Sequence, residues 1–244
     1  MTAANDPAHL PVSSSTPGPA TRHELLVGID DAPPVPMQLG SPEAGDFRGY
    51  EVDLLEELAC RLGVTPRYRR AYWSVIVGDL VAGRIDAVCS AATVTAERAR
   101  EVDFCTPHLT LTLAVVTRAG DPAGTHLAGR RVGVRAGTTA EAYARTHGAP
   151  EPAARSESND ELYAALAAGT LDAVIDDSPI AAHFARAVPG LHLAGALPNT
   201  DAAYAIMVRK GKDAPREAVN AALAEMEADG TLETLRARWG LSPA

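Results

Sequence analysis

The chain has 244 residues, a formal net charge of −9, 46% hydrophobic residues and only 5% aromatic residues. This length allows one large domain or two small ones, and the apolar content is too high for a disordered chain. The acidic balance argues against a general nucleic-acid binder, and no apolar run approaches the roughly 20 residues of a membrane-spanning helix.

Residues 1–21 are rich in Pro, Ser, Thr, Ala and Gly and show no periodicity, so we predict a disordered leader. A secretory signal would need a positively charged start and roughly 7 to 15 consecutive apolar residues, and the sequence shows neither. Either an export signal has been removed from the chain or the protein stays inside the cell.

Three cysteines occur, Cys60, Cys89 and Cys105, so at least one thiol has no partner within the chain. Their spacing matches no Cys/His zinc motif, and we expect no metal site. We expect all three to be buried, reduced and structural. A disulfide between Cys89 and Cys105 is the alternative.

From residue 25 onward, strand-like and helix-like segments alternate. A short apolar run predicts a strand over residues 25–29, and helical spacing predicts a helix over 52–62 that ends at Gly63. A second helix over 73–82 precedes an apolar strand over 85–90. Such alternation is typical of α/β proteins with parallel strands.

An internal repeat is the most informative pattern. Residues 80–88 (LVAGRIDAV) recur as residues 166–174 (LAAGTLDAV), and each copy ends a helix at a glycine before a buried strand. Upstream of each copy lies a Val-Gly pair in a predicted strand, at residues 27–28 and 132–133. Two matched elements in the same order favour two similar α/β lobes.

The last part of the chain predicts one more strand and two helices. A strand-like run over 204–208 is followed by a helix over 218–226. Asp229 and Gly230 break that helix, and Thr231 is the expected cap of a final helix that ends near Trp239.

Arg98 is the first candidate for ligand recognition. The segment over residues 93–98 (TVTAER) follows a strand, Thr95 is a natural N-cap, and Arg98 would lie one turn into the helix. A cation there opposes the helix dipole, which makes sense if its planar guanidinium grips a carboxylate. The alternative is a solvated helix arginine.

Gly137, Thr138 and Thr139 follow a strand over 131–134 and open a helix near Ala140. Free backbone N–H groups and two hydroxyls there predict a small anion-binding nest. An ordinary turn with a threonine cap is the alternative. No glycine-rich nucleotide motif occurs, so we expect neither nucleotide phosphate nor a cofactor.

Asp176 and Asp177 end the second repeat strand, and Ser178-Pro179 start a helix. Each aspartate could form the turn, or a carboxylate at this edge could receive an ammonium group. Trp73 begins its helix in a chain poor in aromatics, and it either packs in the core or stacks over a ligand.

These polar groups are all expected at the carboxyl ends of strands, the edge where open α/β sheets bind ligands. An arginine and an aspartate in opposite lobes suit a zwitterion such as an α-amino acid, because both of its charges need opposite partners once water is removed.

Seven segments carry a family resemblance: residues 49–54 (GYEVDL), 80–87 (LVAGRIDA), 93–98 (TVTAER), 102–107 (VDFCTP), 129–134 (GRRVGV), 171–177 (LDAVIDD) and 228–232 (ADGTL). In this order they resemble the family 3 extracellular solute-binding proteins. These are polar amino-acid receptors of ABC importers with the type II periplasmic-binding fold. The resemblance runs from about residue 25 to residue 239.

The resemblance implies a role for nine residues by position. Arg98 would hold the ligand carboxylate and Asp177 the ligand amino group. Asp30 falls where some members recognise a basic side chain, although an aspartate is also common there without that role. Six residues would add polar contacts or a wall against the ligand: Ser90, Thr93, Trp73, Gly137, Thr138 and Thr139.

The implied fold is α/β, with two similar lobes whose central mixed sheets are joined by two crossover strands. Lobe 1 would comprise residues 22–109 and 206–244, and lobe 2 residues 113–202, with hinge crossovers near 109–113 and 202–206. The implied protein is a monomeric binding protein without enzymatic activity, which captures an α-amino acid by lobe closure and passes it to an ABC transporter permease. Its implied location is extracytoplasmic, periplasmic or at the cell surface, and cytoplasmic otherwise.

The sequence departs from the family at one wall of the expected site. Members usually carry a Tyr-x-Pro-Phe-like segment where residues 31–37 (DAPPVPM) have no aromatic. Ala91 replaces a serine, and residues 104–108 (FCTPH) replace Phe-Ser-x-Pro-Tyr. These changes argue against a bulky, aromatic-stacked ligand.

Two alternatives use the same fold. One is a cyclohexadienyl dehydratase-like enzyme acting on prephenate or arogenate, with Glu141 or Asp177 as the candidate acid. The other is an amino-acid sensor module connected to a signalling partner.

Overall fold

The computed structural model describes residues 24–149, 151–152 and 154–242. The predicted leader over residues 1–21 lies outside the described residues, as do residues 22 and 23 of the predicted lobe 1. In the part that is described, no helix combines the length and the apolar character needed to cross a membrane.

The described strands are, in chain order, β1 (Glu24–Asp30), β2 (Thr65–Ala71), β3 (Ala87–Val88), β4 (Val102–Phe104), β5 (Leu109–Leu111), β6 (Leu113–Arg118), β7 (Val132–Arg135), β8 (Ala154–Ser156), β9 (Ala173–Asp177), β10 (Leu191–Ala196), β11 (Ala202–Tyr204) and β12 (Met207–Arg209). The helices are α1 (Tyr50–Leu62), α2 (Trp73–Val81), α3 (Thr139–Thr146), α4 (Asn159–Ala167), α5 (Ser178–Ala187), α6 (Asp213–Ala228) and α7 (Thr231–Arg238).

Two five-stranded sheets have the same architecture. The first has the order β2-β1-β3-β12-β4 and the second the order β8-β7-β9-β6-β10. In each sheet the first three strands are parallel and the last two pair antiparallel. The predicted α/β fold with mixed sheets is confirmed. We call the first sheet with α1, α2, α6 and α7 lobe 1, and the second with α3, α4 and α5 lobe 2.

The internal repeat marks equivalent positions in the two sheets. A Cβ on Gly28 of β1 would come closer than 3.0 Å to the Ile85 side chain, and one on Gly133 of β7 would do the same to Leu171. The repeated aspartate makes the same hydrogen bond in both copies. Asp172, in the second copy, accepts the backbone N–H of Arg131, and its counterpart in the first copy accepts the backbone N–H of residue 26. The repeat therefore encodes close packing of a strand against the helix–strand unit that follows it.

Two short strands run between the lobes. β5 lies within the segment 109–113 and β11 within the segment 202–206, which are the two predicted crossovers, and they pair antiparallel with each other. The chain thus passes from the sheet of lobe 1 to that of lobe 2 and back through a paired two-stranded ribbon.

The prediction of a single strand over residues 204–208 is wrong in one respect, because these residues belong to two different strands. Tyr204 ends β11, where it pairs with Leu109 in the ribbon. Met207 begins β12, where it pairs with Val88 and Phe104 in the lobe 1 sheet. The apolar run is continuous because both strands are buried, and periodicity alone does not reveal the break.

Two predicted helix starts also differ from the structure. The Thr95 hydroxyl accepts the Arg98 N–H at 3.2 Å, but only a 3₁₀ turn over Arg98–Arg100 follows, because the chain must reach β4 at Val102. Arg98 therefore does not lie inside an α-helix. At α7, Gly230 in the left-handed conformation precedes the helix, so Thr231 is its first residue and not its cap.

The expectation of three buried cysteines holds for two of them. Cys89 and Cys105 are buried and Cys60 is exposed, since it lies on the solvent-facing side of α1. All three are free, so the alternative disulfide between Cys89 and Cys105 is not formed.

Candidate functional site

A small closed cavity lies between the two lobes at the carboxyl ends of their parallel strands. Its volume of about 20 Å³ holds little more than one water molecule, so the lobes are in contact around it. The residues that line it come from both lobes: Pro34, Trp73, Ser90, Ala91, Thr93, Arg98, Arg135, Thr138, Ala140, Asp176, Asp177 and Ile180.

Six of the nine residues predicted for the site line this cavity: Trp73, Ser90, Thr93, Arg98, Thr138 and Asp177. The other three lie close by without lining it. Gly137 contacts Arg98 through its carbonyl, Thr139 borders an adjacent groove, and Asp30 forms an ion pair at the edge of the cleft.

Arg98 reaches the cavity from lobe 1 and is held by contacts from both lobes. Its Nη1 donates to the Thr93 carbonyl at 2.8 Å, and its Nη2 donates to the Gly137 carbonyl of lobe 2 at 3.3 Å. The guanidinium lies over the Trp73 ring at 4.7 Å, and Trp73 Nε1 donates to the same Gly137 carbonyl. Trp73 thus both packs in the core and forms part of the cavity wall.

The carboxyl group of Asp177 faces Arg98 from lobe 2. It accepts a hydrogen bond from the Tyr204 hydroxyl at 2.7 Å and one from the Thr93 hydroxyl at 3.5 Å. Burial raises the pKa of Asp177, and the Tyr204 hydrogen bond and the charge of Arg98 partly offset this rise. Asp177 is also the N-cap residue of α5, where the helix dipole favours a negative charge.

Neither of these two charges has a charged partner among the described residues. None of the ion pairs within 4.0 Å in this part of the chain includes Arg98 or Asp177. A half-buried guanidinium bonded only to carbonyls, opposite a buried carboxyl bonded only to hydroxyls, is the arrangement that a zwitterion would complete.

The anion nest predicted at residues 137–139 is already occupied by the protein. Gly137, at a φ of +70°, donates its N–H to the Glu141 carboxylate at 2.8 Å. Thr138 caps α3, where its hydroxyl accepts the Glu141 N–H and donates to the Arg135 carbonyl. Gly137 and Thr138 therefore organise the start of α3, and the Gly137 carbonyl, not its N–H, faces Arg98.

Glu141 is unsuited to act as an acid. Burial by itself would raise its pKa, but hydrogen bonds from Arg155, the Gly137 N–H and Arg145 lower the pKa of Glu141 to about 2. It does not line the cavity. The group is an ionised carboxylate that closes the first turn of α3.

Ser90 supports its neighbours through both of its hydrogen bonds. Its hydroxyl accepts the Asp30 N–H at 3.1 Å and donates to the Gln38 side chain at 3.2 Å. Ser90, which follows β3, therefore holds the end of β1 in place. Only the part of its surface that is free of these contacts lines the cavity.

Two polar residues around the cavity, Arg135 and Tyr204, were not predicted as part of the site, and Asp176 was considered only together with Asp177, as a turn former or an ammonium partner. Asp176 accepts hydrogen bonds from Asn159 and Tyr163, and burial, followed by the charge of Asp177, raises its pKa to about 8. Arg135 was recognisable only as a charged residue at the carboxyl end of β7, equivalent to Asp30 in β1. Tyr204 was assigned to a strand with no polar role.

A second buried polar cluster lies in lobe 1, outside the cleft. Donor atoms of Glu51, Cys89 and His108 all lie within 4.8 Å of one another, a spacing compatible with a metal ion. The Glu51 carboxylate already accepts the Ala91 N–H at 2.9 Å, and burial raises the pKa of the Cys89 thiol well above its usual range. Glu51 therefore supports the chain beyond the end of β3, whereas the two ring nitrogens of His108 have no hydrogen-bond partner among the described residues.

Comparisons with known proteins identify relatives of this chain. The family model for bacterial extracellular solute-binding proteins, family 3, matches residues 25–242. The L-cystine-binding protein TcyJ of Escherichia coli K12 is 29% identical over 224 residues, which cover 89% of this chain and 83% of that protein. An L-arginine-binding protein of Pseudomonas aeruginosa is 31% identical over 238 residues, which cover 92% and 91%.

One solved structure with a similar fold is the ancestral amino acid-binding protein AncCDT-1, described as a precursor of cyclohexadienyl dehydratase. It has a TM-score of 0.79 and 30% sequence identity, and the match covers 88% of this chain and 94% of that one. The match extends over both lobes.

Proposed function

Because the chain belongs to the family 3 bacterial extracellular solute-binding proteins, as its sequence motifs predicted, we propose that it captures an α-amino acid by lobe closure for delivery to an ABC importer. Relatives named for binding cystine and arginine support an amino acid as the ligand class. The family membership also supports the role in transport.

One observation carries the choice of ligand. Arg98 of lobe 1 and Asp177 of lobe 2 line the same cavity, and neither is in an ion pair with another described residue. An α-amino acid would bring a carboxylate to the guanidinium and an ammonium to Asp177. Asp177 is buried and Arg98 is half-buried, so each such pairing contributes more than it would in water.

Capture requires that the lobes open and close again. The cavity of about 20 Å³ is too small for an amino acid, so a ligand must enter an open form in which the lobes separate. The ribbon of β5 and β11 is the segment about which this rotation would occur. On closure, the Gly137 carbonyl and Asp177 would approach Arg98 with the ligand between them.

The remaining features of the proposal follow from the family. The partner would be the permease of an ABC transporter, and the protein would act as a monomer on the extracytoplasmic side of the membrane, in the periplasm or at the cell surface. A sensor module would bind the same ligands but would pass the signal to a different partner.

A dehydratase-like enzyme is the second candidate, favoured by the structural similarity to AncCDT-1. Such an enzyme needs a carboxylic acid in the cleft. Glu141 is excluded as that acid by its low pKa and its position outside the cavity, which leaves Asp177. Incubation with prephenate or arogenate tests this candidate, because release of the aromatic product would show turnover.

A thermal-shift screen against the common L-amino acids tests the proposed function. A ligand at 100 times its Kd should stabilise the folded protein by about 2.7 kcal/mol. We expect at least one α-amino acid to raise the melting temperature and prephenate to be unchanged on incubation. Failure of every amino acid to raise the melting temperature, or turnover of prephenate, would overturn the proposal.

A further inference from the structure

A buried ion pair joins the two lobes beside the cavity. Arg135 Nη2, at the end of β7, donates to Asp30 Oδ2, at the end of β1, at 2.5 Å. Their side chains are only 8% and 1% exposed. The Arg135 guanidinium also donates to the Ala32 carbonyl of lobe 1 and, through Nε, to the Glu157 carbonyl of lobe 2. The guanidinium is therefore fixed from both lobes.

This pair differs from the other two charges of the cleft. Arg98 and Asp177 have no ionic partner among the described residues, whereas Arg135 and Asp30 are matched to each other. Asp176 also lines the cavity, but its carboxyl oxygens already accept three hydrogen bonds, from two side chains and the N–H of the next residue. Within the part of the chain that the structure describes, the closed cleft thus offers one free cation and one free anion.

We propose that Arg135 determines ligand specificity. Its guanidinium pairs with Asp30 within the protein and so restricts the cleft to α-amino acids with uncharged side chains. The inference rests on the proposed function. A basic ligand side chain would be buried without an acid, because Asp30 is occupied. An acidic one would find no cation, because Arg98 is needed for the α-carboxylate. Uncompensated buried charges of this kind strongly disfavour binding.

Calorimetric titration of four proteins with neutral, basic and acidic L-amino acids tests this assignment. The proteins are wild type, Arg135→Leu, Asp30→Asn and the double variant, each checked for folding by its thermal melting curve. Arg135→Leu frees Asp30, so its affinity for L-arginine or L-lysine should rise at least about tenfold, or about 1.4 kcal/mol. Asp30→Asn frees Arg135, and its affinity for L-glutamate or L-aspartate should rise similarly.

The double variant is the matched control, because it carries neither charge and should gain neither ligand class. The two single variants are independent, so either one suffices if the other does not fold. Wild type that binds a neutral amino acid, with no gain in the single variants, would overturn the role of Arg135 and leave the proposed function standing. If wild type bound L-arginine or L-lysine as tightly as any neutral amino acid, the role of Arg135 would also be overturned and the proposed function would stand. Absence of binding of any α-amino acid by all four proteins would overturn both.

Discussion

Arg98 combines three contacts that hold its charge in place without neutralising it. Two backbone carbonyls, from Thr93 and Gly137, accept its hydrogen bonds, and Trp73 covers one face of the guanidinium. Carbonyl dipoles orient a guanidinium but leave its formal charge uncompensated, so a ligand carboxylate remains the best partner for it.

We expect Arg98→Ala to lower amino-acid affinity by at least about a hundredfold, or about 2.7 kcal/mol, because a ligand carboxylate would then be buried without a partner. Arg98→Lys should also bind more weakly than wild type, since an ammonium cannot form the two parallel hydrogen bonds of a guanidinium. Arg48→Ala, at a side chain that is 57% exposed, is the control. Calorimetric titration measures all three. Affinity in Arg98→Ala equal to that of wild type would show that the assignment is wrong.

Buried carboxyl groups predict how stability depends on pH. Burial, followed by the charge of Asp177, raises the pKa of Asp176 to about 8, and burial raises that of Glu51 to about 7. In the unfolded chain both are ionised above about pH 5. Unfolding therefore releases protons, and the free energy of unfolding should fall as the pH rises from about 6.5 to about 8.

His108 opposes this trend only weakly, because burial lowers its pKa to about 3 and in the unfolded chain, where histidine titrates near pH 6.5, it is largely neutral above about pH 7.5. Thermal unfolding over this pH range measures the trend. Asp176→Asn should reduce the slope, because the amide does not titrate. A melting temperature that rises with pH, or an unchanged slope in the variant, would contradict the account.

At the residue scale, the sequence predicted which strand ends carry Arg98 and Asp177 because the α/β pattern places such residues at one edge. It did not predict the pairing of Asp30 with Arg135. These residues are 105 positions apart, and only the closed arrangement of the lobes brings them together. The free N–H of Gly137 was also mispredicted, because the reach of the Glu141 side chain depends on its rotamer.

At the scale of elements, the two repeat copies explain why glycine occurs in β1 and β7. Gly28 faces Ile76 and Ile85, and Gly133 faces Leu162 and Leu171. In each lobe a helix side chain and the residue before the repeated aspartate occupy the space where a Cβ would be.

Alanine at either glycine should therefore destabilise the protein. We expect Gly28→Ala and Gly133→Ala each to lower the free energy of unfolding by about 1 to 3 kcal/mol, because the packed core must yield to an added methyl group. Gly78→Ala, in α2, is the matched control, since nothing lies within 4 Å of the position that its Cβ would take. It should be neutral or stabilising by up to about 1 kcal/mol. Chemical denaturation measures all three, and equal effects at all three sites would refute this explanation.

The apolar spacing of the sequence predicted some helices and strands but not others. The elements predicted within residues 25–90 were readable from apolar spacing because each buries a continuous face. β2 and β10 were not predicted, since most of their residues are not buried. The division of residues 204–208 between β11 and β12 was not predicted either, since both strands are buried and differ only in their partners. The turn after Thr95 stays short because β4 begins at Val102, a constraint from the sheet and not from the local sequence.

At the scale of the whole molecule, two similar sheets meet at their carboxyl edges, and the residues that differ between them produce the site. Lobe 1 contributes a cation through Arg98 and lobe 2 an anion through Asp177. The same edge carries the reverse pair, Asp30 from lobe 1 and Arg135 from lobe 2, which bind each other. The closed cleft therefore brings together two complementary charge pairs: the protein satisfies one, and we propose that a ligand completes the other.

Calorimetric titration with altered ligands tests this account most directly. The wild-type protein is titrated with its best amino acid, with the amine that lacks only the carboxylate, and with the acid that lacks only the amino group. We predict that each analogue binds at least about a hundredfold more weakly, a loss of about 2.7 kcal/mol, because each leaves Arg98 or Asp177 unpaired. An analogue that binds as tightly as the amino acid would show that the two charges do not recognise a zwitterion.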